Sequence, residues 1–162
     1  MKKYLVIICV FLIVAISNLF LWRFSVVSIP DLKLTHRETS DSCSWGLNEK
    51  ALLASINEAR IKNGLSPVSL SENLDNFSQA RANEMNESNF SHDNFIPLAQ
   101  KTGLQYNYLG ENLAENICAP KTLVSKWLNS STHKKVILNS RYKYIGIGYH
   151  DGIVVTEYGD LK

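Results

Sequence analysis

Residues 144–158 read Tyr-Ile-Gly-Ile-Gly-Tyr-His-Asp-Gly-Ile-Val-Val-Thr-Glu-Tyr. Two runs rich in β-branched and aromatic residues, 144–149 and 153–158, flank His150-Asp151-Gly152. Asp-Gly between two such runs predicts a tight hairpin turn, whose central positions need positive φ. Gly146 and Gly148 inside the first run predict close approach of another element to that strand. The chain therefore closes on a β-hairpin, and what precedes the hairpin sets the fold class.

What precedes it is mostly helical. Leu47, Ala51, Leu52, Ile56 and Ala59 recur at helical spacing, and Asn63-Gly64 ends the run. Ser66-Pro67 predicts a turn, and residues 68–70 a short extended piece. A second helix is expected from Ser71, with Ser69 and Glu72 as a capping box. Leu74, Phe77, Ala80, Arg81 and Met85 mark its inner face. Residues 86–94 are polar and turn-rich, which places His92 on a loop. A short helix follows over 97–104, closed by Gly103. Residues 106–115 read as a strand carrying Glu111. Residues 122–129 read as a helix with Leu123, Val124 and Trp127 inward. Ser130, Ser131 and Thr132 offer N-caps for another short helix starting at His133. Helices first and strands last predict an α+β fold rather than alternating βαβ units.

The 162 residues carry a formal charge of +2, and Lys and Arg are scattered. A nucleic-acid partner is therefore not expected, since it calls for a basic stripe. One domain with one core is expected over 46–162, preceded by a linker of mixed composition at 24–45. Residues 1–23 form a membrane anchor or signal segment. Met1-Lys2-Lys3 precedes an apolar run over 4–22, just long enough to cross a bilayer. The leading lysines orient the remainder outside the cytoplasm. Ala15-Ile16-Ser17 offers a cleavage site for a signal peptide, whereas Leu19, Phe20, Leu21 and Trp22 extend the run as an uncleaved anchor would. Of the three cysteines, Cys9 lies within the apolar run. Cys43 and Cys118 remain, in an oxidising compartment, as either one disulfide or two free thiols. The pairing is the preferred reading.

The chemistry concentrates in polar islands between apolar segments: Ser91-His92-Asp93-Asn94-Phe95, Gly110-Glu111-Asn112-Leu113-Ala114, Trp127-Leu128-Asn129-Ser130, and His133 followed by Val136-Ile137-Leu138-Asn139. Two imidazoles and one carboxylate are a donor set for a divalent metal, or an acid/base set. Glu111 is too costly to bury unpaired, so it pairs with a histidine or faces solvent. His133 at a helix start is expected to stay neutral, because the helix dipole disfavours its charged form. Ser130 reads either as a nucleophile activated by histidine or as a helix-terminal serine bonded to backbone.

Taken together, Asn89-Phe90-Ser91-His92, Gly110-Glu111-Asn112-Leu113-Ala114, Trp127-x-x-Ser130-x-x-His133-x-x-x-Ile137-Leu138 and Ile145-Gly146-Ile147-Gly148-Tyr149 resemble the bacterial branch of the CAP superfamily. That family is named for cysteine-rich secretory, antigen 5 and pathogenesis-related proteins and is also called the SCP domain. The resemblance implies an α-β-α sandwich: a central, mostly antiparallel sheet between two helical layers, with a large cleft. It also implies export. In animal members the cleft holds two histidines and two acidic residues. By motif, His92, Glu111 and His133 match three of them, and Ser130 stands where the second acid falls. Three ligands suffice for zinc with water in the fourth position, and calcium is the alternative ion. Three functions follow as expectations. The first is an exported, membrane-tethered or secreted binding module, holding a lipid, peptide or cell-envelope component in a cleft lined by His92, Glu111, Ser130 and His133. The second is a metal-assisted hydrolase using His92, Glu111 and His133. The third is a structural envelope protein with an inert cleft. The missing second acid and the lack of a convincing nucleophile rank binding above catalysis.

Overall fold

The computed structural model of the protein describes residues 46–85 and 89–162. The apolar run at 4–22, the linker at 24–45 and Cys43 lie outside the described residues. Among the described residues the elements run α1 (Glu49–Lys62), β1 (Ser69–Leu70), α2 (Glu72–Glu84), α3 (Phe95–Lys101), β2 (Tyr106–Glu115), α4 (Pro120–Asn129), α5 (Ser131–Ile137), β3 (Tyr144–His150) and β4 (Ile153–Leu161). No helix among them is long and apolar enough to cross a membrane.

The hairpin forms as the Asp-Gly pair requires: Asp151 and Gly152 have φ of 42° and 85°, both left-handed. β4 then pairs on both sides, giving the strand order β1-β3-β4-β2. β3–β4 and β2–β4 are antiparallel, while the two-residue β1 runs parallel to β3. The sheet is thus mixed, with one short parallel pair beside two long antiparallel ones.

Strand periodicity splits the core between two faces. On β4, Val154 and Tyr158 join the main cluster with Leu52, Ile56, Leu123, Trp127 and Ile137 from α1, α4 and α5. Ile153 and Val155 join a smaller cluster with Ala82 of α2, Met85 and Leu113. Helices therefore cover both faces, which is the α-β-α sandwich. On the second face α2 lies almost directly on β3. A Cβ at Gly146 would come 2.1 Å from the Leu74 main chain, and one at Gly148 2.2 Å from the Ser78 carbonyl oxygen. That proximity lets α2 close the strand edge left open beyond β1. Asp75 Oδ1 accepts from Ile147 N–H at 3.0 Å, and Gln79 both accepts from Tyr149 N–H at 3.2 Å and donates to its carbonyl at 3.0 Å. Satisfied edge groups are no template for another chain.

The first face has its own buried cation. Arg60, 1 % exposed, donates to the carbonyls of Ser66, Ile137, Asn139 and Tyr142. It ties α1 to the segment between α5 and β3, and burial lowers its pKa.

Some local expectations change. The Ser69/Glu72 capping box does not form. Ser71 is the N-cap residue of α2 and makes no side-chain cap bond, because β1 still holds this stretch: Ser71 N–H donates to Ile145 O at 3.0 Å. α4 starts at Pro120 rather than at 122, with proline in its first turn, where its missing N–H costs nothing. α5 starts at Ser131 rather than His133. Ser130 at its N-cap position bonds no helix amide. Its hydroxyl meets Thr132 Oγ1 at 3.0 Å instead. Cys118 lies in the β2–α4 connection, as expected, but is buried in the main core.

Candidate functional site at the β2 edge

Glu111 sits in the middle of β2, directly opposite Glu157 on β4. Both are buried, Glu157 completely. Two like charges facing each other across a strand pair repel. Arg81 on α2 resolves the conflict. Its Nε donates to Glu111 Oε2 at 2.8 Å and its Nη2 to Glu111 Oε1 at 3.2 Å, a bidentate pair with both side chains almost wholly buried. Burial alone would depress the Arg81 pKa, but hydrogen bonds and charge from Glu111 and Glu84 outweigh it and raise it. Glu157 takes the other solution. Burial, then the charge of Glu111, push its pKa well above the usual carboxylate range. Neither of its oxygens meets a hydrogen-bond partner. Glu157 is thus held toward its neutral form, while Glu111 has the Arg81 guanidinium as its counter-charge.

The same guanidinium organises the loop that carries His92. Arg81 Nη2 donates to Ser91 O at 2.6 Å, and Nη1 pairs with Glu84 Oε1. The second Glu84 oxygen accepts from Asn94 Nδ2 at 2.8 Å, and the Glu84 carbonyl from Asn89 Nδ2 at 2.7 Å. His92 lands with Nδ1 2.7 Å from Glu111 Oε1. A carboxylate only accepts, so Nδ1 carries a proton, and in the neutral ring Nε2 is then the nitrogen with the lone pair. The His92 side chain is 57 % exposed against 1 % for Glu111.

His133 arrives from the other helical layer. Its ring lies 6.4 Å from that of Trp127, and its carbonyl accepts from Asn112 Nδ2 at 3.2 Å. Its pKa is lowered by burial first and by the charge of nearby His92 second. The neutral state expected from the helix dipole is thus reached by a different cause. Because β2 is an edge strand, a loop on one face and a helix on the other bring both imidazoles to its rim. Trp127 is core, as expected: it is 2 % exposed and its Nε1 donates to Leu113 O at 3.0 Å.

Of the sequence-derived set, His92 and Glu111 are in contact and His133 is close to His92. The Ser130 hydroxyl is hydrogen-bonded to Thr132 Oγ1. Among the described residues no group of three or more His, Cys, Asp or Glu side chains is arranged to hold a metal ion. Glu111 already commits both oxygens to Arg81 and His92. The donors left over are the two imidazoles, so the three residues do not fit one metal as a common ligand set. Arg81 and Glu157 were not among the sequence-derived site residues. Each is a charged residue on an apolar face, Arg81 among Leu74, Phe77 and Met85 and Glu157 within Ile153–Leu161. That was the available signal.

Glu157 makes a prediction about pH. Its native pKa is raised, so the native state holds a proton that the unfolded chain releases above about pH 4.3. The stability tied to that proton is complete below the unfolded value and is lost as pH rises through the native value, at no more than about 1.4 kcal/mol per pH unit. Glu157→Gln should remove this decline, leaving the variant relatively more stable than wild type toward alkaline pH in urea titrations. Parallel pH profiles would show that Glu157 is not held neutral. His133 has the opposite sign. Its lowered pKa means stability is lost as pH falls below about 6.5, and His133→Gln should flatten that acid limb.

The comparisons with known proteins agree with this architecture. The family model described as "CAP: Cysteine-rich secretory protein family" matches residues 53–153. The uncharacterized protein YkwD of Bacillus subtilis (strain 168) is 31% identical over 121 residues, covering 71% of this chain and 47% of that protein. The chain therefore spans about half the length of this relative. A solved extracellular protein containing an SCP domain, from Bacillus anthracis str. Ames, matches in fold with a TM-score of 0.64 at 21% identity, over 68% of this chain and 39% of that one. An outer surface protein from Borrelia burgdorferi matches with a TM-score of 0.63 at 27% identity, over 70% of this chain and 92% of that one.

Proposed function

Because the chain belongs to the cysteine-rich secretory protein (CAP) family, we propose that it is an extracytoplasmic binding module. Its rim at His92 and His133 takes a lipid, a peptide or another cell-envelope component. Residues 1–23 hold it at the membrane or are cleaved on export. Support for the location comes from the apolar run itself and from relatives described as an extracellular protein and an outer surface protein.

One observation carries the binding reading: Glu111 is saturated by Arg81 and His92. A carboxylate so engaged orients an imidazole and is not free to attack or to ligate. A carboxylate–imidazole pair also resembles a general base, which keeps hydrolysis as the second reading. Hydrolysis needs an attacking group as well, and the Ser130 hydroxyl is turned toward Thr132. The purified protein is expected to hydrolyse neither a nitrophenyl ester nor a fluorogenic peptide library above background, with or without zinc. A zinc-dependent turnover with a bell-shaped pH profile, lost in both His92→Ala and His133→Ala, would promote the hydrolase reading.

The same proposal includes the Cys43–Cys118 bridge, one end of which lies outside the described residues. Denaturing alkylation without reductant should leave both residues unmodified by mass spectrometry. Alkylation of both would refute the bridge.

A further inference from the structure

Two of the surface cavities carry carboxylates. The groove between α1 and α4 is lined by Glu58 with Lys62 and Lys121, and the pocket at the hairpin end by Glu115 and Asp151 with His150. A third cavity, of about 400 Å³, has no acidic side chain in its lining. It lies between the first turns of α2, the turn after α3 and the end of β4. Its volume falls within the range of small-molecule sites, roughly 300–1,000 Å³. We propose that this cavity binds a neutral, hydroxyl-rich ligand, a saccharide unit of a glycan.

The lining has two halves. Asn73, Asn76 and Phe77 stand at i, i+3 and i+4 and so share one face of α2. Among the described residues neither asparagine amide meets a protein partner. Each carboxamide offers donors and acceptors together, which suits hydroxyls that also do both. Gln105 adds a carbonyl oxygen, since only its Nε2 is engaged, to Gly103 O at 3.2 Å. The other half is apolar: the half-buried Leu104 and Leu161 provide a surface for the C–H face of a pyranose ring, backed by Phe77, which is 2 % exposed and stacks on Phe95. The rim is held before any ligand arrives. Leu104 N–H donates to Ala99 O and Lys162 N–H to Gln105 O, at 3.1 and 3.2 Å. A Cβ on Gly103 would meet nothing within 4 Å, so the space beside this turn is open.

A peptide fits less well. Strand-type recognition needs free main-chain groups, and here they are engaged: Tyr106 pairs with Leu161 across β2–β4, and Lys162 N–H is bonded to Gln105 O. Lys162 is the one cationic side chain in the lining and is exposed, so the lining does not define an anion site. This cavity lies at the opposite end of α2 from Arg81, so it stands independently of the histidine rim and its failure would leave that reading untouched.

The test is isothermal titration of the full-length protein in detergent with cellobiose, with N,N′-diacetylchitobiose and with an uncharged tetrapeptide. Saturable binding of at least one sugar is expected. Asn73→Ala/Asn76→Ala should weaken it by about tenfold or more, the loss of two or more hydrogen bonds. Alanine suits exposed helical positions, so this variant should fold. Glu58→Ala, an exposed change in the groove between α1 and α4, should bind the sugar as wild type does. Absence of sugar binding up to the solubility limit, unchanged affinity in the double variant, or tighter binding of the tetrapeptide would each overturn the proposal.

Discussion

Replacing Arg81 by methionine should destabilise the protein by about 3–5 kcal/mol, the usual cost of removing one partner of a buried ion pair. Methionine keeps much of the length and apolar volume of arginine and loses the charge. Glu111 would then be a buried carboxylate beside the buried Glu157, with only His92 still bonded to it. The cost arises from that stranded charge rather than from lost packing. Arg81→Met combined with Glu111→Gln should therefore recover much of the loss, a non-additivity that a purely steric effect would not produce. The urea midpoint should fall with an unchanged m-value. A loss below about 1 kcal/mol, the range of exposed pairs, would mean that the pair is not buried in solution.

The second large effect is expected at the α2–β3 contact. Gly146→Ala places a methyl group 2.1 Å from the carbonyl carbon and oxygen of Leu74. Those are main-chain atoms of a helix and cannot swing aside as a side-chain tip does. The whole helix must lift, pulling Asp75 and Gln79 from the β3 edge that they close. The expected cost is at the top of the overpacking range, about 3 kcal/mol. Gly159→Ala is the control. Its added methyl would meet its nearest neighbours at 3.4 Å, so it should cost less than about 1 kcal/mol. Equal effects at the two glycines would mean that strand propensity, and not the close approach, governs both.

These two contacts differ in how far they could be read from residues alone. Gly146 and Gly148 in a β-rich run already predicted a close backbone neighbour. The hairpin was fixed by Asp151-Gly152, and β2 falls on its expected boundaries. Local chemistry decided those features. The capping box failed because its serine is held by β1, which pairs with the distant strand β3. Glu111 had to find a partner, and His92 was one of those expected. Arg81, read as an inner-face residue of its helix, and Glu157 were not read as site residues because those roles depend on register. Only the β2–β4 alignment puts the two acids opposite each other, and only the docking of α2 puts the guanidinium over them. Ser130 carried an expectation by position in a motif, and the hydroxyl turns toward Thr132 instead.

The central claim is that Glu111, held by Arg81, fixes His92 with its Nδ1 proton inward and its Nε2 lone pair facing out. Long-range ¹H–¹⁵N correlation spectra of the histidine rings in the full-length protein at neutral pH measure this directly. The account predicts His92 as the Nδ1–H tautomer, with that state lost in Glu111→Gln. An Nε2–H tautomer for His92, or a ring insensitive to the Glu111 substitution, would contradict it.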